Sequence, residues 1–221
     1  MNALTDYNGP FPVINLMGTD FLVNACTMQL IEAGEPSNKI DYFDMIDLQD
    51  HLELVYDTST KSSYQGRWDQ YHDKVNTELF WLRPFGAMDP AGMNELMDHI
   101  KPGWRSAYRC DLPVINLGGT DFFADEQLNS FRQKDNPWNR IHFHEVMQLN
   151  GQAGVYMDTR VKNVPFPHEF DAYDPPGKMP EHIIFAEVPS GPELAVLLDE
   201  ARSNVERQQD IYLLSPQQRG R

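Results

Sequence analysis

At 221 residues, with 41% hydrophobic and 11% aromatic residues, the chain has the apolar material for a packed core, which excludes a disordered protein. No apolar run approaches the ~18 residues that a membrane-spanning helix needs, and Asp plus Glu number 33 against 18 Lys plus Arg, a formal net charge of -15. So anionic a surface repels phosphate backbones; it argues against direct nucleic-acid binding and for a basic protein partner.

The first residues, Met1 to Asn8, carry neither a basic nor an apolar segment of the secretory kind. Cys26 and Cys110 have no metal-ligand spacing around them. Reduced thiols in a cytoplasmic protein are the expectation.

From Pro12 the residues Val-Ile-Asn-Leu, a Met17-Gly18 pair and Thr-Asp-Phe-Leu-Val predict a two-residue β-hairpin. In that register Asn15 faces Asp20, while Ile14, Leu16, Phe21 and Val23 share one apolar face. The ten residues Pro12–Phe21 recur as Pro113–Phe122 with one change, Gly118 for Met17. The chain therefore reads as an internal duplication. The repeated Asp20 and Asp121 read as cross-strand partners of Asn15 and Asn116 rather than as catalytic groups.

A polar connection follows, ending at Pro36-Ser-Asn38 and again at Pro137-Trp-Asn139. Lys39–Leu48 with His51–Thr58, and Arg140–Leu149 with Gln152–Thr159, predict a second hairpin in each copy, since Asn150-Gly151 is a strong hairpin turn. The offset is 101 throughout. Asp57-Thr58 and Asp158-Thr159 are read as turn caps. A fifth strand is expected at Glu78–Pro84 and at Ile183–Pro189, an offset of 105, the longer second connection being the Pro-rich stretch 165–177.

Helices follow, one capped by Asp89 with Pro90 at its first position and ending before Pro102-Gly103. The other begins at the capping box Ser190-Gly-Pro-Glu193 and runs to about Gln208. The expected fold class is α+β: two homologous β-rich units, 1–103 and 104–210, each of two hairpins, a fifth strand and a helix. A pseudo-two-fold relation and an apolar-then-basic tail, 211–221, complete the expectation.

The repeated Leu-Pro-Val-Ile-Asn-Leu-Gly-Gly-Thr-Asp-Phe segment is followed by Phe131-Arg-Gln-Lys-Asp-Asn-Pro137 and a hairpin. With the strand-Pro-helix carrying Asp89-Pro-Ala-Gly-Met93, this order resembles uncharacterised bacterial proteins associated with mobile elements. The residues that carry the resemblance are structural, so it implies a setting rather than a chemistry.

Phosphate-cradling loops and Gly-x-Ser-x-Gly nucleophile elbows are missing from the sequence. What separates the copies is charge. Asp41 to Asp57 holds six acids and no Lys or Arg; His142 to Asp158 holds Glu145 and Asp158 alone. Asp41, Asp44, Asp47, Asp50 and Glu53 beside Tyr42, Phe43 and Tyr56 suit a basic protein surface, charge steering the encounter and aromatics supplying affinity.

The reading is a non-enzymatic inhibitor or adaptor without a cofactor. A second reading is a divalent-metal site using His142 and His144, alternate residues of one strand, with His168 as a third ligand. A structural assembly component is a third.

Overall fold

In the computed structural model, which describes residues 7–104, 112–189, 191–199 and 203, the repeated segment forms a hairpin twice. The chain divides into two compact units, 1–104 and 105–221. Among the described residues it is mostly β with some helix, in four small antiparallel sheets.

In the first unit β1 (Val13–Leu16) and β2 (Thr19–Asn24) pair in the expected register, Leu16 opposite Thr19, Asn15 opposite Asp20 and Ile14 opposite Phe21. Met17 (φ 49) and Gly18 (φ 84) are both left-handed, the turn whose twist matches the flanking strands. β3 (Gln29–Glu32) and β4 (Lys39–Asp41) extend this to a four-stranded meander. A short second sheet holds β5 (Ile46–Asp47), β6 (Leu52–Asp57) and β7 (Ser62–Ser63), with β8 (Thr77–Leu82) along the other edge of β6. Helices α1 (Phe85–Met88) and α2 (Pro90–Ile100) follow. Leu16, Phe21, Val23, Leu30, Ile40 and Leu54 make one core with Leu82 and Phe85.

The second unit repeats the order. β9 (Val114–Leu117), β10 (Thr120–Asp125), β11 (Ser130–Gln133) and β12 (Arg140–His142) form the meander. β13 (Met147–Leu149), β14 (Gln152–Asp158) and β15 (Ile183–Glu187) form the second sheet. Helix α3 covers 191–199, and its Leu194, Leu197 and Leu198 pack on a core of Leu117, Phe122, Phe131 and Val155.

Left-handed residues recur 101 positions apart, Met28 and Asn129, Gln49 and Asn150, Lys61 and Lys162. The backbone path, and not only the motif, is thus common to both units.

Three expectations are corrected. The polar connection contains a strand, β3 or β11. It is visible only through its inward residues, Leu30 and Phe131, each fully buried. The stretches 39–48 and 140–149 are not continuous strands. A 3-10 turn, Tyr42–Asp44 or Phe143–Glu145, breaks each one. The chain there leaves the meander for the second sheet, and one straight strand cannot belong to both.

The ladder also sets the fifth-strand offset at 106, since Asp57 faces Thr77 and Asp158 faces Ile183. Aligning the prolines slips the register by one and would turn the strand's faces over. With 106, Leu82 and Val188, both buried, take equivalent places. Residue 190 of the predicted capping box, the predicted helix beyond 199 apart from residue 203, Cys110 and the tail lie outside the described residues.

Candidate functional site

The acids of the first unit gather around the 3-10 turn. Asp41 ends β4 and accepts Gln29 Nε2 at 2.8 Å; the Asp44 carboxylate folds back to accept the Asp41 amide at 3.2 Å. Tyr42 donates its hydroxyl to Asp47 Oδ2 at 2.6 Å. That bond to Asp47, with burial, pushes the Tyr42 phenol above its usual range. Asp47 Oδ1 also accepts the Gln49 amide at 2.7 Å.

These bonds fix the loop and lift Phe43 clear of it, 91% exposed, touched edge-on by Tyr42 with ring centroids 5.5 Å apart. Ile46 and Leu48 are also exposed. The turn thus holds an aromatic ring out in water between three carboxylates.

Not every residue expected in the patch belongs to it. Tyr56 is 1% exposed and packs against Phe21 and Phe80 at 6.1 and 5.9 Å, so it is a core residue and cannot meet a partner. Its position on β6 puts it on the inward face beside Leu54. Asp50 and Glu53 are drawn to His51, whose ring lies on Trp81 at 4.4 Å. Asp50 meets Nδ1 at 2.9 Å and Glu53 lies 3.7 Å from Nε2. The exposed part of the patch is therefore Asp41, Phe43 and Asp47, with Asp44 and Tyr42 half-buried beneath.

In the second unit the same turn carries His142, Phe143, His144 and Glu145. The His142 and His144 rings stack with centroids 5.5 Å apart. They meet through the 3-10 turn and not through strand alternation, which ends at His142. Glu145 accepts the His142 amide at 2.5 Å, repeating the role of Asp44. Phe143 turns inward onto Phe131 at 4.7 Å. His168 sits in the Pro-rich loop against Phe166 at 5.6 Å. Among the described residues no three His, Cys, Asp or Glu side chains are grouped as a metal would require.

The duplicated polar residues are structural. Asn15 Nδ2 donates to Asp20 at 2.6 Å and Asn116 Nδ2 to Asp121 at 2.9 Å. Asp57 accepts the Ser59 amide and hydroxyl at 2.8 and 2.5 Å, hydrogen bonds that hold its carboxyl below the usual range. Asp158 is fully buried. Burial pushes its carboxyl up, but the hydrogen bonds and charge of Arg160 outweigh that and bring it below the usual range.

Three groups were not picked out from the sequence. Asp89, expected only as a helix cap, also accepts the Ala25 amide at 3.0 Å and the Tyr7 hydroxyl at 3.3 Å, while Gly92 N donates to it at 3.0 Å. Beside it Cys26 is a buried thiol, pushed up by burial and by Glu95 and Asp89.

Asn38 and Asn139 tie the meander to the turn after β6 and the turn after β14 within the second sheet of each unit. Asn38 reaches Glu32 and the Lys61 carbonyl, and Asn139 reaches Gln133 and the Lys162 carbonyl. Lys61 also pairs with Glu32 at 2.9 Å.

Asp125 and Arg132 form a buried ion pair at 3.3 Å where the first unit has Asn24 and Ile31. Both positions differ between the two units, and that joint difference was the available signal. The second unit also holds an open cleft of about 550 Å³ between β9 and the β15–α3 junction.

Comparison with protein-family models, curated proteins and solved structures yields no match to the chain. No described helix is long and apolar enough to cross a membrane.

Proposed function

We propose that this chain is a non-enzymatic acidic interaction protein, an inhibitor or adaptor that docks on a basic protein surface, including one that otherwise holds nucleic acid. The observation that carries the reading is Phe43, 91% exposed on a hydrogen-bonded turn flanked by Asp41, Asp44 and Asp47. A Phe on an already fixed turn has only two side-chain torsions to order on binding, and surrounding carboxylates steer a cationic partner toward it.

The likeness of the two units, residue for residue in their hairpin registers, supports an origin by duplication, after which one turn kept an acid-aromatic face and the other did not. A cytoplasmic setting, on a mobile element, is part of the same reading.

The test is affinity capture followed by quantitative binding of the captured protein. Phe43→Ala is expected to weaken binding by about tenfold or more, as truncating an anchor does. Asp41→Asn, Asp44→Asn and Asp47→Asn together should slow association and flatten its salt dependence. Binding that ignores both changes would sink the proposal.

The second reading, a divalent-metal site, draws on the stacked His142 and His144 rings. It predicts stoichiometric metal in the purified protein that disappears in His142→Ala with His144→Ala, and metal-free wild-type protein counts against it.

A further inference from the structure

We propose that the cleft of the second unit is a strand-addition site, taking an extended basic segment of a protein partner. The inference stands apart from the Phe43 turn, which lies in the other unit.

β9 is the outer strand of its sheet. Its pairing with β10 runs through Leu117 opposite Thr120 and Ile115 opposite Phe122, and Ala124 N donates to Pro113 O at 2.9 Å. In an antiparallel ladder the bonded residues alternate. The backbone N–H and C=O of Val114 and Asn116 therefore point away from β10, toward the cleft they line. Among the described residues nothing bonds to those backbone groups; the Asn116 side chain alone is engaged, with Asp121 and Gly119.

An exposed edge is usually blunted by a Lys, a Pro within the strand or a bulge. Val114-Ile-Asn-Leu117 has none of these, and Val114 stays 45% exposed. A peptide pairing here makes main-chain bonds that any sequence can make, and specificity falls to the walls.

The walls select. Leu197 and Glu193 lie one turn apart on α3, and Glu187 stands exposed at the end of β15. Glu187 is engaged by Gln152 Nε2 at 3.1 Å, a neutral partner that leaves its charge uncompensated. The described lining residues include no Lys or Arg. A bound strand alternates its side chains between two faces. Basic residues on the face turned toward α3 and the end of β15 would answer the glutamates.

The test uses the full chain and a peptide of ~8 alternating Val and Lys residues, about the length of a common strand. Amide hydrogen exchange at Val114 and Asn116 is expected to slow at least about tenfold on saturation, since each gains an acceptor. Glu187→Lys with Glu193→Lys, both at exposed sites, should weaken the peptide at least about tenfold. Val114→Pro removes one outward donor at an edge that tolerates proline, and is expected to weaken the peptide while the melting temperature holds.

The same peptide N-methylated at alternate residues should not bind. Equal binding of that peptide, or binding that leaves the Val114 and Asn116 amides exchanging freely, means charge attraction alone and overturns the proposal. No binding at all overturns it as well. So does protection of those amides by self-association without peptide, because the occupant is then a second copy.

Discussion

Asp89 concentrates three demands in one carboxylate: it caps α2, accepts the Ala25 amide from the end of the first hairpin, and receives the Tyr7 hydroxyl. Asp89 is 1% exposed, and the Ala25 and Gly92 amides that donate to it are buried with it, without water as a substitute. Asp89→Ala should cost about 3 kcal/mol, a lost cap plus orphaned buried donors, measured by chemical denaturation.

Gly92 lies against the same carboxylate, where a Cβ would overlap Asp89 Oδ2 and crowd the Cys26 amide. Helix propensity favours Gly92→Ala by about 1 kcal/mol, yet overlap with a fixed carboxylate should make the change destabilising by ~1–3 kcal/mol. A stabilised Gly92→Ala protein would refute this.

The one difference inside the repeated ten residues has a similar cause. Met17 is 62% exposed, whereas a side chain at Gly118 would run into the ends of Ile184 and Met157. Gly118→Met should therefore lower the denaturation midpoint, by ~1–3 kcal/mol of stability. Met17→Gly should change it by only a few tenths. The Asn-Asp pair beside this turn was legible from spacing alone, because both partners lie in one hairpin. The overlap at Gly118 was not, because Ile184 is 66 positions away by subtraction of residue numbers.

At the scale of elements, the Pro-rich stretch shows how a loop can be structural. It carries Phe170, 5% exposed, onto Tyr156 with ring centroids 5.0 Å apart, and these join Ile183 in a cluster separate from the main core of the unit. β14 is consequently buried along Gly154 to Asp158. Phe170→Ala should destabilise by about 3–5 kcal/mol in a calorimetric or denaturant measurement. A change of less than 1 kcal/mol would mean that the loop does not cover the sheet.

The strands missed in the sequence, β3 and β11, are short and carry Gln29, Glu32, Arg132 and Gln133 among their four residues each. Their polar side chains are paired, Glu32 with Lys61 29 positions on, Arg132 with Asp125 and Gln133 with Asn139, and polar residues paired in this way mask the alternation that marks a strand. The 3-10 turns hid for a related reason. The three-residue spacing of acids looked like a face of a regular element, and it became a folded-back cap once the chain had to change sheets.

For the molecule as a whole, its 33 acids do not act alike. Asp57 and Asp158 cap the same turn in each unit, and both carboxyls lie below the usual range. A lowered folded-state value means that folding favours the carboxylate. The stabilisation is complete above the unfolded value near ~3.9 and is lost as pH falls through the folded value. Urea midpoints should therefore drop as the pH is lowered below ~4. Asp158→Asn, which abolishes one such titration, should show a shallower fall, and a slope equal to wild type would contradict the assignment.

The sequence by itself determined the registers of the 12–23 and 113–124 hairpins and the helix cap at Asp89. These rest on residues a few positions apart, where backbone periodicity and turn chemistry fix the outcome. Tertiary structure alone decided that Tyr56 is core while Phe43 stands in water, that His142 and His144 meet through a turn, and that β9 keeps an open edge beside two glutamates. Exposure, ring contact and edge pairing depend on which strands lie together, and that is settled by packing between segments far apart in the chain.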